Sequence, residues 1–193
     1  MMRYAPRLVP AGTAPEGALV EPLIEDPPRC PLGEHELIPR VAWMVERDGA
    51  FQPVPASQRA DLEEMRGYAI VTMLDGELSN ESLDQLPGVN LATTGTYAAE
   101  LLLDRDHLAA LHTILRGRVY LAAAPRRGRF LVGGVGAGIE GMRGFVAHVR
   151  REHDEAPAAD RISPVTLLVR DARPTAVVGE LQLAALARSA SAR

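Results

Sequence analysis

Residues 103–134 read LDRDHLAALHTILRGRVYLAAAPRRGRFLVGG and carry the clearest secondary-structure pattern of the chain. Asp104 is a favourable N-cap residue, and the leucines that follow recur at spacings of three and four, which places them on one face of a helix. Two short apolar runs come next, separated by proline, two arginines and glycine, the composition of a hairpin turn. The prediction is a helix over 105–115 and strands over 118–124 and 129–135.

The residues after this stretch repeat the order helix, then hairpin. Met142, Phe145 and Val149 share one face of a helix that is predicted to follow a glycine cluster. Two further apolar runs flank a second turn, and a closing helix follows them. The predicted strands cover 165–169 and 175–178, and the closing helix covers 180–188.

Hairpins join neighbouring strands in antiparallel order, so the predicted fold class is α+β, with a mainly antiparallel sheet and helices packed on it. Ten of the 15 prolines stand before residue 56. Because proline lacks an N–H donor, residues 1–37 are predicted to be a Pro-rich extended arm, and residues 38–193 a single α+β domain. We expect the arm to pack on its own domain or on a partner.

Shorter elements are predicted between the arm and residue 103. Ser79 is a suitable N-cap, Glu81 favours the positive end of a helix dipole, and Leu78 and Leu83 have the spacing of a hydrophobic staple. A helix is therefore predicted to begin at Ser79. The other predicted elements are strands over 37–45, 51–54 and 68–74 and a short helix over 58–66.

The basic residues and the cysteine content exclude several kinds of chemistry. All 21 basic residues are arginine, which excludes a Schiff-base lysine, a GK[ST] phosphate loop and a Ser-Lys dyad. Cys30 is the only cysteine, which excludes an internal disulfide and a Cys-rich zinc site. No apolar run approaches the roughly 20 residues that cross a bilayer, and the first residues lack a secretory signal. We therefore expect a cytoplasmic protein with no membrane partner.

A glycine cluster lies between the second predicted strand and the helix after it. Gly136, Gly138 and Gly141 match the spacing G-x-G-x-x-G, which lets bare backbone and a helix N-terminus approach a pyrophosphate. The acidic residue expected roughly 20 positions later does not fit, because Asp171 is too distant and Asp160 lies in a predicted loop. The alternative is a tight strand-to-helix bend whose glycines permit close packing. This structural alternative is favoured, and phosphate binding stays open.

The predicted hairpin turn is locally basic. Arg126, Arg127 and Arg129 lie in or beside the turn, and Arg116 and Arg118 lie at the other end of the first strand. Two arginines on a rigid turn can hold phosphate or carboxylate oxygens, and a β-ribbon can enter a groove of DNA. No aromatic ladder accompanies them, and the chain has a net charge of −4. A nucleic-acid partner is therefore not favoured, and these turn arginines join the three glycines as candidate ligand-binding residues.

The spacing of the histidines argues against a metal site. The two close pairs are each five residues apart, which on a helix separates the side chains by about 140°, whereas a shared metal wants a spacing of three or four. His107 and His112 flank the leucine stripe and are expected to be partly buried hydrogen-bonding residues. No nucleophile elbow is found. We expect no metal and no cofactor, assign no catalytic residue, and favour a protein that is not an enzyme.

The order of segments over about residues 68–179 resembles the bacterial YtpQ-like family, whose function is uncharacterised. The resemblance is carried by YAIVTMLDG at 68–76, by Asn90-Leu91, by residues 103–134, and by Ile162-Ser163-Pro164 leading into VTLLVRDARP. It implies an α+β fold and transfers no active-site residue. The Pro-rich arm and the glycine cluster depart from the family pattern.

The leading functional hypothesis is a non-enzymatic interaction module. It would contact a protein partner, or a second copy of itself, through the Pro-rich arm or the basic hairpin. One alternative is an enzyme or sensor that binds a nucleotide or another phosphorylated ligand at the bend from Gly133 to Gly141. A second alternative is nucleic-acid binding through the hairpin from Arg126 to Arg129.

Overall fold

The computed structural model describes residues 3–24, 34–47, 50–62, 64–66 and 77–191. In this part, the chain forms two antiparallel sheets and three α-helices of ten residues or more, joined by loops and short 3₁₀ turns. The α+β class and the antiparallel pairing predicted from the sequence are confirmed. The predicted strand over 68–74 and Cys30 lie outside the described residues.

The first sheet is built around one strand. β1 (Tyr4–Val9) pairs along one side of β3 (Arg40–Arg47), while β2 (Val20–Pro22) and β4 (Ala50–Pro53) pair along the other side. Leu8 of β1 is fully buried. Part of the segment predicted as an extended arm is therefore built into a sheet of its own chain, and the boundary at residue 37 stays a prediction.

The second sheet has six strands, and every neighbouring pair is antiparallel. The strands lie in the order β10-β9-β7-β8-β6-β5. They are β5 (Ser79–Ser82), β6 (Asn90–Thr94), β7 (Val119–Ala123), β8 (Arg129–Gly134), β9 (Leu167–Arg170) and β10 (Arg173–Val177). The long helices are α1 (Arg105–Ile114), α2 (Gly138–Glu155) and α3 (Glu180–Ser191).

Alternate residues of the central strands serve two separate cores. Tyr120 of β7 and Phe130 of β8 pack with α1 and with the first sheet. Leu121 and Leu131 are their neighbours along the chain and pack with α2 and α3. Side chains alternate between the two faces of a strand, so the six-stranded sheet is the middle layer of the fold.

Helix α1 begins where its sequence predicts. The Oδ1 atom of Asp104 accepts hydrogen bonds from the backbone N–H of Asp106 at 2.9 Å and of His107 at 3.1 Å. Leu108 and Leu111 are buried against the sheet. The predicted cap and the predicted leucine stripe are both confirmed, because a short polar cap and an apolar face act within a few residues of each other.

The prediction that a helix begins at Ser79 is wrong. Ser79 pairs with Thr94, and residues 79–82 form edge strand β5 on β6. Leu78 is exposed, so it does not act as the apolar staple that its position suggested. Pairing with β6, which was not predicted as a strand, overrides a weak local preference for a helix.

Glu100 ties the two sheets together. It lies on the 3₁₀ turn Ala99–Leu103 between β6 and α1 and is only 1% exposed. Its Oε1 atom accepts a hydrogen bond from Leu8 N at 3.3 Å and lies 3.7 Å from Arg7 Nη1, whereas its Oε2 atom has no hydrogen-bond partner among the described residues. Burial raises the pKa of the Glu100 carboxyl, and the Arg7 charge opposes this rise.

Candidate binding surface

Arg129, predicted as a ligand-binding residue, is held inside the protein. Its Nη1 atom donates to Glu81 Oε1 at 2.5 Å, and its Nη2 atom donates to Glu152 Oε1 at 2.8 Å. Its Nε atom donates to Glu152 Oε2 at 3.0 Å, and the side chain is buried. The guanidinium group of Arg129 therefore joins β5, β8 and α2, and its hydrogen-bonding groups are used within the fold.

Glu152 is the centre of a wider charged network on α2. His148 Nε2 lies 3.1 Å from Glu152 Oε1, and Arg151 Nη2 lies 2.7 Å from His148 Nδ1. Because arginine only donates, His148 Nδ1 accepts the hydrogen bond from Arg151. His148 Nε2 therefore carries a hydrogen and donates a hydrogen bond to Glu152 Oε1. Arg126 Nε lies 3.8 Å from Glu152 Oε2. Sequence reasoning missed this role of His148, although the spacing of four residues to Glu152 signals a helical pair.

Arg127 is the predicted turn arginine with an exposed side chain, and its charge opposes the rise in the pKa of the Glu100 carboxyl. Its backbone N–H donates to Asp160 O at 2.8 Å, which anchors the turn. The side chain is exposed and has no hydrogen-bond or ion-pair partner among the residues that the structure describes. The three predicted arginines therefore differ. Arg129 is buried and paired with two glutamates, Arg126 has one long ion pair with Glu152, and Arg127 has no ion pair among the described residues.

Close packing accounts for one of the three predicted glycines. A Cβ atom placed on Gly141 would overlap the Cβ of Ala137 and lie 3.3 Å from Pro87 O. The same contact recurs from the other side, since a Cβ on Gly88 would lie 2.5 Å from Ala137 Cβ. The loop before β6 therefore packs closely against the start of α2, and the lack of a side chain on Gly88 and Gly141 permits this contact.

The other two glycines have open surroundings. A Cβ on Gly136 or Gly138 would meet no atom within 4 Å, and Gly138 has a φ of +72°, which favours glycine. Glu140 lies in the first turn of α2, where its carboxylate accepts from Arg143 Nη1 at 2.7 Å. This acidic group competes with any anion for the positive end of the helix dipole. Phosphate binding at the bend stays a prediction.

The two histidines of α1 are packed against aromatic rings. The ring centroids of His107 and Phe130 are 5.8 Å apart, and those of His112 and Tyr120 are 5.9 Å apart. Both Nε2 atoms are buried without a hydrogen-bond partner in the described part of the chain. Burial lowers the pKa of His107, and Asp104 opposes this change. The expectation of hydrogen-bonding histidines is wrong for these atoms, because ring packing holds them instead.

Arg116 and Arg118 lie at the end of β7 that is remote from the hairpin turn. Val119 pairs with Arg170 of β9, and Arg170 pairs with Arg173 of β10. The backbone N–H of Asp171 donates to Arg118 O at 3.1 Å, so the start of β7 and the β9–β10 turn are adjacent. We call Arg116, Arg118, Arg170 and Arg173 together the arginine end.

The arginine end has a marked excess of positive charge. All four side chains are exposed. Asp171 Oδ1 lies 3.6 Å from Arg118 Nη1, whereas Arg116, Arg170 and Arg173 have no ion-pair partner among the described residues. Directly opposed residues of an antiparallel pair point to the same face, so Arg170 and Arg173 stand side by side. Sequence reasoning missed this surface because Arg170 and Arg173 are far from Arg116 along the chain.

The β9–β10 turn that carries this arginine pair is tight. Asp171 and Ala172 are its two loop residues, and both have positive φ angles, of 48° and 60°. Positive φ at both central residues is typical of a two-residue type I′ turn, whose twist matches that of the strands. The turn therefore fixes Arg170 opposite Arg173.

Comparison with known proteins finds no matching family model, no matching curated protein and no matching solved structure. The resemblance to the YtpQ-like family stays a prediction. Within the described ranges, no helix is long and apolar enough to cross a membrane. In the same part of the chain, no group of three His, Cys, Asp or Glu side chains is placed to hold a metal ion.

Proposed function

We propose that this protein is a non-enzymatic interaction module that binds an acidic segment of a partner protein through the arginine end. The observation that supports this most strongly is the cross-strand pair of Arg170 and Arg173. Like charges directly opposite each other on a sheet are destabilising. A carboxylate placed between them removes that repulsion and forms charge-assisted hydrogen bonds with both.

The chemistry of these side chains supports binding rather than catalysis. Arginine stays protonated in proteins, so it neither accepts a proton nor acts as a nucleophile at neutral pH. Its five N–H donors in a planar fork suit carboxylate recognition. The arginine end is therefore suited to hold an anionic group in a fixed orientation.

A protein partner is supported over a nucleic acid. The whole chain has a net charge of −4, so its general field does not attract a polyanion. No aromatic side chain of the described residues is exposed, whereas single-stranded nucleic acids stack on exposed aromatic rings. A short acidic segment needs only the local charge that the four arginines supply.

Side-chain contact is supported over addition of a strand to the sheet. β10 is the last strand in the order of the second sheet, but it contains Pro174, which has no N–H to donate. Its pairing with β9 is also irregular between Pro174 and Ala176. Proline and bulges are the features by which edge strands avoid pairing with other chains.

The test uses a fluorescent twelve-residue peptide of alternating Glu and Gly, titrated with the protein at about 50 mM salt, where exposed charges are weakly screened. We expect binding by fluorescence anisotropy, and we expect R170A/R173A to weaken it by roughly fivefold or more. The matched control is R105A/R127A, which removes two exposed arginines, one at the start of α1 and one in the turn between β7 and β8. We expect it to bind like the wild type.

Three results would contradict the proposal. They are absence of peptide binding by the wild type, an equal loss in the control variant, and stronger binding to a twelve-nucleotide oligo-dT that R170A/R173A abolishes. The last result would indicate that the arginine end binds nucleic acid. Sedimentation of the protein without peptide measures its oligomeric state. If the wild type is a dimer and R170A/R173A is a monomer, the partner is a second copy of this chain and not another protein.

A further inference from the structure

We infer that Arg116 is a further residue through which the arginine end binds its acidic partner, an inference that rests on the proposed function. Arg116 lies in the loop between α1 and β7. Its backbone is strained, and no contact of its side chain with the described residues offsets this strain.

The backbone of Arg116 has the left-handed conformation, with a φ of 53°. Arg116 directly follows Leu115, the C-cap of α1, and the backbone N–H of Gly117 donates to His112 O at 2.9 Å. This is the hydrogen bond of a Schellman motif, in which the residue after the C-cap is left-handed and is usually glycine. Because the conformation costs free energy in a residue that has a Cβ atom, glycine would be the more stable choice at position 116.

Two other residues with side chains have positive φ angles in the described part of the chain, and each has a reason within the fold. Ala172, with a φ of 60°, is 8% exposed, and its methyl group packs in the core next to α1. Asp171, with a φ of 48°, is a residue type that tolerates this conformation, and its carboxylate lies 3.6 Å from Arg118 Nη1. Arg116 is instead exposed and has no hydrogen-bond or ion-pair partner among the described residues.

The end of α1 provides one favourable interaction for Arg116. Cations are stabilising near the C-terminus of a helix, because the last carbonyl groups carry a partial negative charge. For an exposed side chain, this contribution is smaller than the cost of the left-handed conformation. Residues held in such conformations cluster at functional sites. A contact with a partner therefore accounts for an arginine at this position.

Arg116 and Arg170 lie on opposite sides of the same end of the sheet. Arg116 is two residues from Arg118, whose backbone O accepts from Asp171 N at 3.1 Å. Arg170 and Leu168 are two residues apart on β9 and share a face, which is the face covered by α2 and α3. Helix α1 packs on the other face. A partner segment that contacts both sides therefore crosses the end of the sheet at the β9–β10 turn.

The test uses R116G, whose expected effects on stability and on binding have opposite signs. Glycine relieves the strain, so we expect the melting temperature to rise by about 1–4 °C in differential scanning fluorimetry. We expect the same variant to bind the twelve-residue Glu-Gly peptide about threefold more weakly than the wild type, because one contact between arginine and carboxylate is lost. Fluorescence anisotropy at about 50 mM salt measures this loss.

Two further variants separate the side chain from the backbone. R116A removes the charge but keeps a Cβ atom, so we expect it to bind as weakly as R116G without the rise in melting temperature. R116K keeps the charge and should restore part of the affinity. The matched control is R105A, which removes an exposed arginine from the first turn of α1, where the backbone is helical. We expect it to bind like the wild type.

Three results would overturn the inference and leave the acidic partner of the proposed function standing. They are wild-type affinity of R116G for the peptide, a melting temperature that R116G leaves unchanged or lowers, and an equal loss of binding in R105A. Failure of the wild type to bind the peptide would instead contradict the proposed function.

Discussion

Arg127 and Arg129 are two residues apart, yet their side chains have opposite surroundings. Arg129 is buried and bridges Glu152 and the partly exposed Glu81, while the Arg127 side chain is exposed. Removing one partner of a buried ion pair leaves an uncompensated charge, which is costly, whereas truncating an exposed side chain is nearly neutral. We expect R129A to lower the free energy of unfolding by about 3 kcal/mol.

The control for this prediction is R127A, which we expect to change the free energy of unfolding by less than about 0.5 kcal/mol. Urea unfolding of both variants measures the difference. Equal, small effects would show that the Arg129 network contributes little and would make Arg129 available to a ligand again.

Glu100 gives a pH dependence whose sign can be stated. Burial raises its folded-state pKa above the ordinary value of 4.5. The folded protein therefore holds this proton more firmly than the unfolded chain does, so the favourable contribution is complete below pH 4.5 and is lost as the pH rises through the folded pKa. We expect E100Q, which cannot ionise, to be more stable than the wild type at pH 8, with the difference shrinking toward pH 4.5.

Thermal melting at both pH values measures this effect. The Gln side chain keeps an oxygen that can accept from Leu8 N, so the tie between the sheets is preserved. A stability difference that is the same at pH 4.5 and pH 8 would contradict the assignment of this titration to Glu100.

At the scale of elements, substitutions in the glycine bend test whether its glycines serve close packing or ligand binding. Alanine is a better helix former than glycine, so G141A would stabilise α2 if there were room for a methyl group. The contacts with Ala137 and Pro87 leave no such room. We therefore expect G141A to lower the free energy of unfolding by about 1–3 kcal/mol, the usual cost of overpacking.

G136A is the matched control, because the same added methyl group meets no atom within 4 Å. We expect it to be neutral, or to stabilise by up to about 0.5 kcal/mol through the unfolded state. Chemical denaturation compares the two. If G141A were harmless as well, packing would not explain Gly141, and the phosphate hypothesis would gain support.

For the whole molecule, the N-terminal strands decide how the chain can be shortened. β1 pairs with β3 over six residues, and its Leu8 is buried in the core shared with α1. Deleting residues 1–24 removes β1 and β2 and exposes Glu100 together with that core. We expect the melting temperature to fall by more than about 10 °C, since the loss exceeds that of a single buried side chain.

Deleting residues 1 and 2 is the control, because it keeps Arg3, whose backbone oxygen accepts from Glu46 N at 2.8 Å. It should leave the melting temperature within about 2 °C of the wild type. Differential scanning fluorimetry measures both. An unchanged melting temperature for the longer deletion would show that the Pro-rich segment is dispensable for folding, and it would restore the segment as a candidate partner-binding arm.

Residues 104–134 show what one segment can predict about its own structure. The Asp104 cap, the leucine stripe and the PRRG turn each act within a few residues, so helix α1 and strands β7 and β8 follow from local chemistry. Ser79 shows the limit of this reasoning. Its cap signal is as good as that of Asp104, but its segment pairs with β6, and no local pattern reports that pairing.

The candidate site divides in the same way. That Arg126, Arg127 and Arg129 are close together could be read from the sequence, but which of them is free depends on Glu81 and Glu152, which lie on other elements. The arginine end depends still more on the fold, because strand register places the start of β7 at Val119 beside Arg170, and Arg170 beside Arg173. Residue spacing reports neither arrangement.

The sequence by itself determined the fold class, the helix-and-hairpin order of the C-terminal half and the lack of lysine chemistry, because these depend on composition and on contacts between near neighbours. Only the tertiary structure decided which charges are buried, which are paired and which stand exposed together. Burial and pairing are set by segments that are distant along the chain. The proposed binding surface at Arg170 and Arg173 is a property of the folded sheet for that reason.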